Sequence, residues 1–163
     1  MSARVAVYAG SFDPITYGHL DVARRGAQLF EKVVLAVGEN PKKRYLLDFE
    51  KRKSVVTQAV ADIDNITVDS FQGLLVDYCR TVGATVILRG LRAVTDFEFE
   101  FQIGLANMDM APEIETVFLL TEPRNIFISS SLIKEIAANG GAIQRYVPPA
   151  AEHAVLRALS ATT

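Results

Sequence analysis

Three observations predict a single α/β domain, a doubly wound sheet of five parallel strands with helices on both faces. Five short runs of β-branched or aliphatic residues recur along the chain. Helical patterns separate them, as βαβ units require. No linker, repeat or low-complexity tract divides the 163 residues, so residues 1–163 form one domain.

The five runs are residues 4–9, 32–37, 66–69, 85–88 and 116–120. They are too short for helices and apolar on consecutive residues, as strands covered on both faces are. Helical spacing occupies residues 20–30, 48–60, 74–82 and 95–110. The third of these holds Cys79, the single cysteine, which excludes an intramolecular disulfide and reads as a buried thiol. The fourth begins with a polar–apolar alternation, Asp96-Phe97-Glu98-Phe99-Glu100-Phe101, that taken alone suggests an exposed strand. The pattern continues well past strand length, so a helix is predicted. Its two apolar stripes, Phe97/Phe101/Leu105/Met108 and Phe99/Ile103/Ala106/Met110, both require cover, one of them from another subunit. Two further helices are expected at 130–138, closed by Gly140-Gly141, and at 150–159, with Pro149 in its first turn.

Composition narrows the functional classes. Half the residues are apolar and 22% are charged, which allows a sizeable core. A net charge of −2 lacks the basic excess of a general nucleic-acid binder. No apolar run approaches the roughly 20 residues that span a bilayer. The first strand starts too early to leave room for a signal peptide. A soluble cytoplasmic protein without nucleic-acid or membrane partners is expected.

In open α/β sheets ligands bind outside the carboxyl ends of the strands. Four polar clusters fall there: residues 10–19, 40–44, 89–92 and 124–131. Gly10 and Ser11 let backbone approach a phosphate, and the turn delivers His19 to a helix N-terminus, where anions are favoured. Asp13-Pro14 reads as a turn-builder rather than a metal ligand. Lys42, Lys43 and Arg44 offer at least one anion contact. Arg89 and Arg92 carry guanidinium groups suited to phosphate oxygens, in competition with ion pairs to Asp96, Glu98 or Glu100. Ile128-Ser129-Ser130-Ser131 offers hydroxyls and free N–H groups, and one serine would cap the next helix. Glu50-Lys51-Arg52-Lys53 reads as a solvated face. His153 reads as a surface residue. Neither a Walker P-loop nor a G-x-G-x-x-G after a strand is present, so phosphate is bound by another device.

The run Gly10-Ser11-Phe12-Asp13-Pro14-x-Thr16-x-Gly18-His19 resembles the T-x-G-H signature of nucleotidyltransferases. Together with Arg89-Gly90-Leu91-Arg92, Asp96-Phe97-Glu98-Phe99-Glu100 and Phe127-Ile128-Ser129-Ser130-Ser131, it resembles the bacterial phosphopantetheine adenylyltransferase family over residues 4–159. The resemblance implies a Rossmann-like fold, transfer of the adenylyl group of ATP to 4′-phosphopantetheine, Mg²⁺ and a homohexamer. It implies that His19 stabilises the transition state and that Lys43 grips the acceptor phosphate; with Arg92, these cations and donors around the α-phosphate are the expected catalytic groups. Ser11, Phe12, His19, Gly90, Leu91, Arg92, Glu100 and residues Asn125, Ile126, Phe127, Ile128, Ser129, Ser130 and Ser131 would meet ATP. Ser11, Lys43, Leu75 and Arg89 would meet the acceptor, and no protein group is assigned to the metal. Ala9 departs from the proline common in the family and removes no functional group. Another adenylyl- or cytidylyltransferase, or a catalytically silent nucleotide sensor on this fold, are the competing readings.

Overall fold

The computed structural model describes residues 4–161, without the side chains of Val94 and Thr95. The strands are β1 (Val5–Gly10), β2 (Lys32–Gly38), β3 (Ile66–Phe71), β4 (Val86–Leu91) and β5 (Glu115–Leu120). The helices are α1 (Tyr17–Leu29), α2 (Phe49–Ala59), α3 (Leu75–Val82), α4 (Val94–Met110), α5 (Ser130–Ala138) and α6 (Pro149–Ser160), with a 3-10 turn at Pro123–Asn125. The strands pair in the order β3-β2-β1-β4-β5, and every pairing is parallel. The order reverses between β1 and β4, which opens a crevice beyond their carboxyl ends.

Two buried layers flank the sheet. On one face Ala6, Val33, Leu35 and Leu88 pack with Val22, Val55, Ile133 and Val155 of α1, α2, α5 and α6. On the other, Val7, Val34, Ala36 and Ile87 meet Val76 and Cys79 of α3. Burial pushes the Cys79 thiol up to about 11, which keeps it a protonated core group. Strand residues are thus used on both sides, which is why the runs read as continuously apolar.

Local signals explain the element ends. Thr16 caps α1 and its hydroxyl accepts the His19 N–H. The helix therefore starts at Tyr17, ahead of the apolar period that begins at Leu20. Asp48 caps α2 through the Lys51 N–H. Beyond α5, Gly140 turns left-handed at φ 77°. The Gly140 and Gly141 N–H groups then close on the Ala137 and Ile136 carbonyls. Strand β4 runs three residues past its apolar segment, because Arg89, Gly90 and Leu91 pair with Phe118, Leu119 and Leu120. Arg89 therefore sits on the sheet rather than in a loop.

Residues 94–110 are helical, as the longer periodicity predicts. Gly104 faces Thr116 and Phe118 of β5. Both apolar stripes remain largely uncovered in the single chain: Phe97, Phe99, Phe101, Leu105, Met108 and Met110 are all exposed. One expectation fails outright. Arg52 does not share the solvated face of Glu50 and Lys51; it is 0% exposed. Its spacing to Val55 and Val56 puts it on the buried stripe of α2.

Candidate active site

The loop from Gly10 to Thr16 is fixed by one buried carboxylate. Asp13 accepts the Leu46 and Leu47 N–H groups, both at 2.9 Å, and pairs with Lys134 Nζ at 2.9 Å. Asp13 thereby joins three segments: the first loop, the segment after β2, and α5. It does more than build its own turn. Phe12 adopts a positive φ of 48°, uncommon for a bulky residue and typical of strained functional turns. Its ring is buried, packing edge-on against His19 at 5.2 Å and Tyr8 at 5.6 Å.

His19 is held by a capping box. The Thr16 N–H donates to Nδ1 at 3.0 Å, and the Thr16 hydroxyl lies 3.1 Å from the same nitrogen. An atom that accepts an amide hydrogen cannot carry its own. The neutral ring is therefore the Nε2–H tautomer, with that N–H left as its donor. Burial, with the positive fields of Arg92 and Arg89, lowers the imidazole pKa to about 4. His19 is accordingly a neutral hydrogen-bond donor at physiological pH.

The arginines reach the same place from β4 and from the residue that follows it. Arg89 Nε and Nη2 grip Glu100 at 2.7 and 2.6 Å, and Nη1 donates to the Ala9 carbonyl at 3.1 Å. Burial works against the Arg89 charge, and Glu100 more than restores it. Arg92 pairs with Asp96 at 3.1 Å and donates to the Ile128 carbonyl at 2.8 Å. Both competing ion pairs weighed from sequence are thus formed. Gly90 is needed for close approach: a Cβ there would lie 2.9 Å from Val22 of α1.

These groups border two adjoining chambers. The larger, about 850 Å³, is lined by Ser11, Phe12, Lys43, Tyr45, Leu75, Ile103, Asn107 and Lys134 among others. The smaller, about 500 Å³, is lined by Tyr8, Gly90, Asp96, Phe99, Glu100, Ile128 and Ser129 among others. His19, Arg89, Arg92, Ser130 and Ser131 line both. Lys43 reaches the larger chamber, where its ammonium donates to Ser11 Oγ at 3.1 Å, whereas Lys42 and Arg44 line neither.

Four residues assigned to ATP are not brought to either chamber. Leu91 ends β4 outside the lining of both. Asn125 is buried beside Gly18 and lines a separate cavity of about 390 Å³. Ile126 and Phe127 point to the exterior, Phe127 edge-on to Tyr146 at 5.7 Å. Three lining residues escaped the sequence reading despite available signals. Lys134 lies one turn beyond Ser130 and Ser131, and Asn107 one turn beyond Ile103, so each shares a helix face with its neighbour. Tyr45 follows Lys43 by two residues in the loop after β2.

Residues 7–136 match the model of the cytidylyltransferase-like family. A phosphopantetheine adenylyltransferase of Caldanaerobacter subterraneus subsp. tengcongensis is 50% identical over 89% of this chain and 91% of its own. Its counterpart in Heliobacterium modesticaldum is 52% identical, over 90% and 87%. That of Geotalea daltonii is 46% identical, over 95% and 96%. The chain belongs to the phosphopantetheine adenylyltransferase family. A solved Vibrio parahaemolyticus structure, provisionally named a nicotinate-nucleotide adenylyltransferase, superposes with a TM-score of 0.69. It covers 94% of this chain at 17% identity, a likeness of fold alone.

Proposed function

We propose that this protein transfers the adenylyl group of ATP to 4′-phosphopantetheine, giving dephospho-coenzyme A and pyrophosphate, a step of coenzyme A biosynthesis. One observation carries the reading: two chambers of unequal size share a wall of His19, Arg89 and Arg92. A phosphate oxygen of the acceptor attacks the α-phosphorus of ATP. The bond from that phosphorus to the bridging oxygen breaks, and pyrophosphate leaves with the electron pair. The nucleophile is already ionised, so no general base is needed. A histidine held neutral by burial suits this, because it donates a hydrogen bond without taking a proton. Bringing two anions in line is the barrier, and fixed donors around the α-phosphate lower it.

The acceptor occupies the larger chamber, with its phosphate near Ser11 and Lys43 and its uncharged arm toward Leu75. Arg89 spans the junction. ATP occupies the smaller chamber, along Gly90, Arg92, Glu100, Ile128 and the Ser129–Ser131 hydroxyls. Mg²⁺, when bound, would neutralise charge on the leaving pyrophosphate. Among the described residues no group of three His, Cys, Asp or Glu side chains could hold a metal alone.

The exposed apolar stripes of α4 support assembly into a homohexamer, with α4 at a subunit contact. Among the described residues no helix is long and apolar enough to cross a membrane. A cytoplasmic site of action accords with a metabolic substrate pair. Pyrophosphate release with ATP, Mg²⁺ and phosphopantetheine tests the reaction, with CTP and other phosphorylated acceptors as controls. Release only with ATP and phosphopantetheine is expected; release with another pair, or none, would overturn the assignment.

A further inference from the structure

Arg52 has no place in the chemistry above, yet its side chain is fully buried beneath the larger chamber's loops. Its Nη1 carries two hydrogens and spends both on main chain: one on the Ser11 carbonyl and one on the Gly38 carbonyl, each at 2.8 Å. The guanidinium lies 3.9 Å from the centre of the Tyr45 ring, a cation–π stack. The Tyr45 hydroxyl in turn accepts the Asn40 N–H at 3.0 Å, and the Asn40 carbonyl accepts the Lys43 N–H at 2.9 Å. Arg52 therefore touches both segments that supply the Ser11–Lys43 pair. Among the described residues its Nε and Nη2 have no hydrogen-bond partner.

A buried guanidinium with unpaired donors is a poor way to stabilise a core, and an apolar chain of similar volume often does as well or better. An apolar chain cannot, however, tie two main-chain carbonyls from separate segments to one atom. We infer that Arg52 is a positioning residue for the acceptor phosphate, setting the distance between the Ser11 turn and the loop that carries Lys43. The inference rests on the proposed placement of that phosphate at Ser11 and Lys43. It is also one-sided. Ser11, Gly38, Lys43 and Tyr45 line the larger chamber and not the smaller, so loss of Arg52 falls on the acceptor and spares ATP.

Steady-state pyrophosphate release, varying each substrate in turn, tests this on Arg52→Met and Arg52→Lys, with thermal melting as the check on folding. Arg52→Met is expected to melt close to the parent protein, raise the acceptor KM by about tenfold or more, and change the ATP KM by less than about twofold, since small misplacements of binding groups cost this much. Arg52→Lys, with one ammonium able to reach a carbonyl, should fall between. An unchanged acceptor KM in folded Arg52→Met, or equal losses for both substrates, would overturn the inference. If Arg52→Met does not fold, Arg52→Lys decides: a raised acceptor KM alone supports the role, and parental values refute it. Lys43→Ala run in parallel separates the two claims. If it leaves the acceptor KM untouched while Arg52→Met raises it, the Lys43 placement fails and the positioning role stands through Ser11.

Discussion

The two chambers are charged in different ways. In the larger, the Lys43 ammonium meets a neutral hydroxyl, and among the described residues it forms no ion pair. The arginines of the shared wall are instead already matched to carboxylates that line only the smaller chamber, Arg89 to Glu100 and Arg92 to Asp96. An arriving acceptor phosphate finds an uncommitted cation. An arriving nucleotide must share or replace existing partners. Acceptor affinity should therefore depend on single cations, and nucleotide affinity on the exchange of ion pairs.

The largest expected effect lies at the shared wall. His19→Ala should keep the fold and both substrate affinities while turnover falls about 10²–10³-fold, the usual cost of losing one transition-state donor. Near-normal turnover would remove the imidazole from the chemistry. Next comes the acceptor side. Lys43→Ala should raise the acceptor KM about 10–100-fold, as expected for a charge-assisted hydrogen bond. ATP kinetics should hold, and Lys42→Ala should behave as the parent. The reverse pattern between the two lysines would move the acceptor phosphate.

A subtler effect concerns pH. Because the folded-state pKa of His19 is lowered to about 4 from an ordinary 6.5, the unfolded chain binds the extra proton between those values. The contribution of the neutral ring is thus complete above pH 6.5 and is lost as pH falls toward 4. Denaturant titrations should show parent stability rising with pH across that window more steeply than that of His19→Gln. Parallel profiles would mean the imidazole is not held neutral. The smallest effect tests the exchange of ion pairs. Asp96→Asn frees Arg92 from a half-exposed pair worth no more than about 1 kcal/mol, so the ATP KM should fall by less than about fivefold. A rise would show that Asp96 aims Arg92 instead of competing for it.

The sheet was legible because its strands are buried on both faces, which leaves runs such as Val33–Val37 unbroken by polar residues. The T-x-G-H turn was legible because its threonine and histidine form a capping box at the start of α1. Less was readable where a charge is buried. In sequence Arg52 is one of four consecutive charged residues, and only its spacing to Val55 and Val56 marks it as internal. Asp13 reads as half of a turn dipeptide, because its partners Leu46, Leu47 and Lys134 are distant in sequence. The ion pairs of Arg89 and Arg92 could be named but not chosen, since three acidic side chains compete within a few residues. The resemblance gave residues 125–131 to ATP as one stretch, and only residues 128–131 of it line either chamber. Residues 125–127 precede the serine cradle, yet the chain turns there, burying Asn125 and sending Ile126 and Phe127 outward.

A structure of the protein with phosphopantetheine and a non-hydrolysable ATP analogue tests the shared wall most directly. The acceptor phosphate should lie beside Lys43 and the α-phosphate beside Arg92. His19 Nε2 should sit about 2.6–3.2 Å from an α-phosphate oxygen, within hydrogen-bond reach. An imidazole turned away from both phosphates, or both ligands in one chamber, would contradict the account.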